Sequence, residues 1–160
     1  MTGSPFSVGT APSFVIVDPQ AKFLYVADPP TNQIFAFTID PNSGAPTSIS
    51  GSPFAAGTIP TGLAIDSTGD LLLAANKGSN NVSAYSLNGS TGGLTQISGS
   101  PFTTGEGPVY VTVDSTNNFV YVADSGSNDI AAFSLSNGTL NVIEGSPFNI
   151  ATSPVWLTSH

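Results

Sequence analysis

The tetrapeptide Gly-Ser-Pro-Phe occurs four times, at Gly3–Phe6, Gly51–Phe54, Gly99–Phe102 and Gly145–Phe148. The successive spacings are 48, 48 and 46 residues. A fixed period of this length is the signature of a repeat architecture in which one supersecondary unit recurs. The two residues missing from the third interval fall between Leu135 and Leu140, where a turn is expected, because turns tolerate length changes that packed strands do not.

Each unit divides into four short apolar runs rich in Val, Ile, Leu, Phe and Tyr, bounded by Gly, Pro, Asn, Asp and Ser. The first runs are residues 13–18, 61–66 and 109–114; the second are 22–27, 70–75 and 118–123. The third are 33–39, 81–87 and 129–135, and the fourth are 45–50, 93–98 and 139–144. Asp18, Asp66 and Asp114 stand between the first and second runs, where an Asp side chain bonds the backbone ahead of it. Asn32, Asn80 and Asn128 recur before the third run, where an Asn adopts left-handed backbone or forms an Asx-turn. Pro12, Pro60, Pro108 and Pro154 open the first run, where a missing N–H costs little.

Four antiparallel strands every 40–50 residues is the period of a β-propeller, so the sequence predicts an all-β chain of three four-stranded blades. The blades fall at about 12–50, 60–98 and 108–144, and residues of about 154–160, with Trp156, match the first strand of a fourth. A closed propeller needs four to eight blades. Two arrangements satisfy that need: further blades in a longer chain, or several copies of this chain completing one ring.

The blocks Phe23-Leu24-Tyr25-Val26-Ala27-Asp28 and Phe119-Val120-Tyr121-Val122-Ala123-Asp124 resemble the YVTN β-propeller repeat. With the Gly-Ser-Pro-Phe linkers they resemble the lactonase-like seven-bladed propellers, which include 6-phosphogluconolactonase-type proteins. The second unit departs from the pattern with Leu73-Ala74-Ala75-Asn76. The resemblance implies a lactone hydrolase as one function, with its catalytic residues mainly in other blades.

Charge narrows the partners. Ten acids face two cations, Lys22 and Lys77, for a net charge of −8. Nucleic acid is excluded, since its binding rests on displacing counterions with a basic surface. With no cysteine, disulfides, thiolate nucleophiles and Cys-based zinc sites are excluded as well. No apolar run is long enough to span a membrane. The low lysine content and the Ser, Thr and Asn richness point to an extracytoplasmic or secreted setting.

In a propeller the loops leading into the first strand, and those between the second and third, share one face around the channel mouth. Ligands are expected there. Asp28, Asn76 and Asp124 occupy one repeat position on that face. They read either as a ring of hard oxygen donors or as turn caps, capping being the commoner role. Asp129, Asn32, Asn80 and Asn128 lie beside them. Glu106 and Lys77 break the repeat, standing where the other units have Thr10 and Thr58, or Pro29 and Ser125. They are the sharper ligand-binding candidates. No catalytic residue, metal ligand or cofactor is assigned. The only His is the terminal His160, and no Gly-x-Ser-x-Gly, His-Glu-x-x-His or phosphate-loop motif is present. The expected role is a binding or interaction scaffold with a small-molecule, glycan or protein ligand at the channel mouth. A secreted surface protein that displays its loops to a protein or glycan is the remaining reading.

Overall fold

The computed structural model describes residues 4–136 and 138–154. The first sheet holds β1 (Phe14–Val17), β2 (Phe23–Asp28), β3 (Gln33–Ile39), β4 (Pro46–Ser48) and β5 (Phe54–Ala55). The second holds β6 (Pro60–Ile65), β7 (Leu71–Asn76), β8 (Asn81–Leu87), β9 (Leu94–Gln96) and β10 (Phe102–Thr103). The third holds β11 (Pro108–Val113), β12 (Phe119–Asp124), β13 (Asp129–Ser136), β14 (Thr139–Val142) and β15 (Phe148–Asn149). All pairings are antiparallel. The three sheets are the three predicted blades. The expected fourth-blade strand lies outside the described residues, apart from Pro154 at its start.

One feature differs from the sequence reading. The outer strand of each blade is in two pieces, and the sheet continues past the predicted blade end near residue 50. In the first blade β4 pairs with Phe37–Ile39 and β5 with Gln33 and Ile34. Gly51-Ser52-Pro53 forms the break, with Gly51 at a φ of +86° and a cis Ser52–Pro53 bond. Across the break the Ser52 hydroxyl accepts the Ala36 N–H at 2.9 Å, replacing the missing strand partner. Ser100 does the same for Ala84, and Ser146 for Ala132, both at 2.9 Å. The repeated tetrapeptide is therefore a bulge in the outer strand with a side-chain rung in the ladder.

Blades pack face to face. One core joins Tyr25, Ala27, Ile34 and Ala36 of the first blade to Leu63, Leu72, Ala74 and Tyr85 of the second. The other joins Leu73, Ala75, Val82 and Ala84 to Val111, Val120, Val122 and Phe133. Strand alternation sends one set of side chains to each neighbour, which is why both faces of the middle blade are apolar. The Tyr25 hydroxyl crosses to the second blade and donates to the Gly92 carbonyl oxygen at 2.8 Å. Burial, then the Asp18 carboxylate, pushes that hydroxyl's pKa up, so it remains a donor. The Tyr85 hydroxyl returns to the Ala55 carbonyl oxygen, also at 2.8 Å.

The same repeat position reads differently in each blade. Leu63 and Val111 are each 1% exposed, whereas their first-blade equivalent, Val15, is 59% exposed. On the opposite face Phe23 is 4% exposed and its third-blade equivalent, Phe119, is 40% exposed. Both ends of the described fan thus present the faces that elsewhere form blade interfaces. A concavity of about 530 Å³ lined by Phe6, Phe14, Val15, Leu24 and Val26 marks the first of them.

The turns behave as the sequence predicts. Asn32, Asn80 and Asn128 all have left-handed φ, between 53° and 59°. Asp18 accepts the backbone N–H groups of Gln20, Lys22 and Phe23, and Asp66 those of Asp70 and Leu71. The Asn80 side chain also reaches the next blade, its Oδ1 accepting the Gly107 N–H at 2.9 Å. Asn80→Ala should cost about 1 kcal/mol in a urea titration, from the lost bond and the strained φ.

Candidate functional site

The loops entering each first strand are fastened by residues at the end of the second. Asp28 is fully buried and accepts the N–H groups of Thr10 at 3.1 Å and Ala11 at 2.7 Å, and the Thr31 hydroxyl at 2.7 Å. Burial alone would raise its pKa; the bonds from Thr31, Ala11 and Thr10 outweigh it and hold the carboxyl below its ordinary value. Asn76, also fully buried, accepts the Gly57 N–H at 3.1 Å and donates to Asn81 and Ser83 at 2.8 and 2.9 Å. Asp124 accepts the Gly105 N–H at 2.9 Å. The repeat position that reads as a ring of oxygen donors thus points inward, at loop backbone.

A second position supports the same loops and escaped the sequence reading. Thr31, Ser79 and Ser127 recur one residue before the left-handed Asn. Ser79 accepts the Thr58 N–H at 3.1 Å, and Ser127 accepts the Glu106 N–H at 2.8 Å. Recurrence of a hydroxyl at this spacing was the available signal.

The loops also link blade to blade. Asn32 Oδ1 accepts the Ile59 N–H, the Ile59 carbonyl oxygen accepts the Lys77 N–H, and Asn80 bonds Gly107. The Gly107 carbonyl oxygen in turn accepts the Ser125 N–H. A continuous hydrogen-bonded rim results, and the exposed side chains of Lys77 and Glu106 stand on it. Asn128 is exposed on the same rim, while Asp129 is buried beneath it beside Asp124. Glu106 and Lys77 are therefore presented to solvent, and Asp28, Asn76, Asp124 and Asp129 lie behind them.

Toward the axis, Phe14 and Tyr110 meet edge-on with ring centroids 6.0 Å apart. Both occupy the repeat position that Gly62 fills in the middle blade, where a Cβ would come within 2.9 Å of the Val109 carbonyl oxygen. A cleft of about 280 Å³ opens on the opposite face between the second and third blades, lined by Asp66, Asp70, Ser86 and Asn117 among others. Among the described residues no group of three or more His, Cys, Asp or Glu is placed to hold a metal ion. No helix among them is long and apolar enough to cross a membrane.

The profile described as "Lactonase, 7-bladed beta-propeller" matches residues 2–113. The chain belongs to this lactonase propeller family. No curated protein sequence matches it significantly. Among solved structures, a candidate 6-phosphogluconolactonase of Bacteroides fragilis superposes with a TM-score of 0.84 at 23% identity, over 97% of this chain and 44% of that one. A second candidate 6-phosphogluconolactonase, from Bacteroides uniformis, gives 0.80 at 20% identity, over 91% and 42%. The periplasmic gluconolactonase of Pseudomonas aeruginosa gives 0.74 at 17% identity, over 90% and 43%. At these identities the likeness is one of fold. The chain spans less than half the length of each of these lactonase-fold structures.

Proposed function

We propose that this lactonase-family chain supplies a binding wall of a propeller, with the rim carrying Glu106 and Lys77 as its ligand-contacting edge. The observation that carries this reading is the division of labour on the rim. Asp28 and Asn76 spend their hydrogen-bonding capacity on loop backbone, so the rim is rigid, while the two charges that break the repeat face solvent. A rigid frame with a few exposed polar groups is suited to recognition, because little order is lost on binding. A carboxylate and an ammonium on one rim match a hydroxyl-rich ligand, such as a sugar acid or its lactone, which offers both donors and acceptors.

Lactone hydrolysis is the second reading, favoured by family membership and by the gluconolactonase among the structural neighbours. It requires a base to activate water and donors for the developing oxyanion. Glu106 is the exposed carboxylate on this rim that could serve as that base, with partners drawn from other blades. An extracytoplasmic location goes with either reading and is supported by the sparse lysine and the Ser, Thr and Asn content.

Calorimetric titration of the chain with gluconate, the stable product of gluconolactone, separates binding from turnover. Glu106→Gln should weaken gluconate at least fivefold and leave the urea midpoint unchanged, as expected for an exposed residue. Unchanged affinity, or equal loss of affinity and stability, removes Glu106 from the site. Release of acid from gluconolactone that is lost in Glu106→Gln would favour the hydrolase.

A further inference from the structure

The last rung between the second and third strands of each blade pairs two polar residues. In the first blade it is Asp28 with Gln33, in the second Asn76 with Asn81, and in the third Asp124 with Asp129. In the second blade the pair is joined side chain to side chain, Asn76 Nδ2 donating to Asn81 Oδ1 at 2.8 Å. The third blade puts carboxyl groups at both positions, and an ionised carboxylate has no hydrogen to donate. Asp124 is 0% exposed and Asp129 5% exposed, and one oxygen of each, Oδ1 in both cases, is buried with no hydrogen-bond partner. Two buried carboxylates side by side with orphaned oxygens are costly; one proton between them makes the missing donor and removes one charge.

A bound cation fits less well. A hard cation takes six or more oxygens, whereas this pair has two unpartnered ones, and a Cβ on Gly105 would already lie 2.4 Å from both Asp129 Oδ1 and Ser127 Oγ. The space is filled by protein, and a proton needs no space. We propose that Asp124 and Asp129 share one proton, and that this proton latches the Thr104–Gly107 loop, holding it firmly in acid and loosening it when the pair ionises fully.

The surroundings support the latch. Asp124 contributes from β12 and Asp129 from β13; the loop between them contributes Ser127, which is uncharged. The entering loop adds the Gly105 amide and the Thr104 hydroxyl, and Asn149 of β15 pairs across from Asp129. Glu106, with its side chain in solvent, is the other acid on that loop, and no cation bonds either orphaned oxygen. Burial is the main cause lifting the Asp124 carboxyl from 3.8 to about 6; Gly105 and Thr104 pull it back, and Asp129 pushes it up again. The folded chain therefore holds this proton more tightly than the unfolded chain. The stabilisation is present in acid, falls as pH rises from 3.8 towards 6, and is gone above that.

The middle blade supplies an internal control, because Asn76 and Ser79 hold Gly57 and Thr58 as Asp124 and Ser127 hold Gly105 and Glu106, without a titrating group. Amide hydrogen exchange in the full chain, followed by NMR, should show the ratio of the Gly105 to the Gly57 rate rising at least tenfold between about pH 5 and about pH 7.5. In Asp129→Asn the ratio should stay flat, since the amide donates permanently. The carboxyl carbon shift of Asp124 in the wild-type chain should report a titration near 6, a readout that stands even if the variant does not fold. A flat ratio in the wild type, an Asp124 carboxyl titrating below about 4.5, or slower Gly105 exchange on adding millimolar calcium would each overturn the shared proton.

Discussion

Leu63→Ala is expected to lower the unfolding free energy by about 3 kcal/mol, and Val15→Ala, at the same repeat position, by less than about 0.5 kcal/mol. Leu63 is 1% exposed between two blades, so truncation removes its buried surface and leaves a cavity walled by rigid strands. Val15 is 59% exposed, so its methyl groups already contact water and little is lost with them. Urea titrations of the two variants at one protein concentration make the comparison direct. Equal losses would show that the Val15 face is covered in solution. Repeating the titration at several protein concentrations would then show whether a second copy covers it, because such stability grows with concentration.

Most of the fold was legible because the repeat tests itself. A strand proposed from Val109–Asp114 alone would be weak, but the same pattern at 13–18 and 61–66 fixes its bounds and its turns. The Asp turn residues were legible for a local reason: their partners lie within five residues, as with Asp18 and Phe23. The buried state of Asp28 was not legible, because its partners, Thr10 and Ala11, approach from an incoming loop 17–18 residues upstream. Position in the repeat placed Asp28, Asn76 and Asp124 on one face, but not the direction in which they point. The meaning of Asp129 was equally hidden. Its pairing with Asp124 follows from register, but its chemistry emerges only beside Asn76 and Asn81, where the same rung is closed by an amide. Glu106 and Lys77 were legible as exceptions to the repeat and are solvent-exposed.

The split outer strand was the feature least open to sequence reading, and it yields the second large effect: Ser100→Ala should cost about 2 kcal/mol. A serine in a turn-like tetrapeptide reads as a loop residue, yet its hydroxyl accepts the Ala84 N–H at 2.9 Å in the middle of β8. Ala84 is fully buried, so without that oxygen its amide would be left unpaired in the interior. An orphaned buried donor costs its full desolvation, about 1–3 kcal/mol, rather than the smaller net value of an ordinary hydrogen bond. Ser86→Ala is the matched control, since Ser86 lies on the same strand but is exposed and bonds the Thr95 carbonyl oxygen from the surface; it should change stability by less than about 0.5 kcal/mol. Urea titration of the two variants decides the point. A large loss confined to Ser100 would identify the serine of Gly-Ser-Pro-Phe as a rung of the ladder and explain its recurrence in each described blade. Similar small losses would mean that water or a shifted Gly99–Pro101 turn takes over the amide, and the bulge would then be a local turn with no part in holding the sheet.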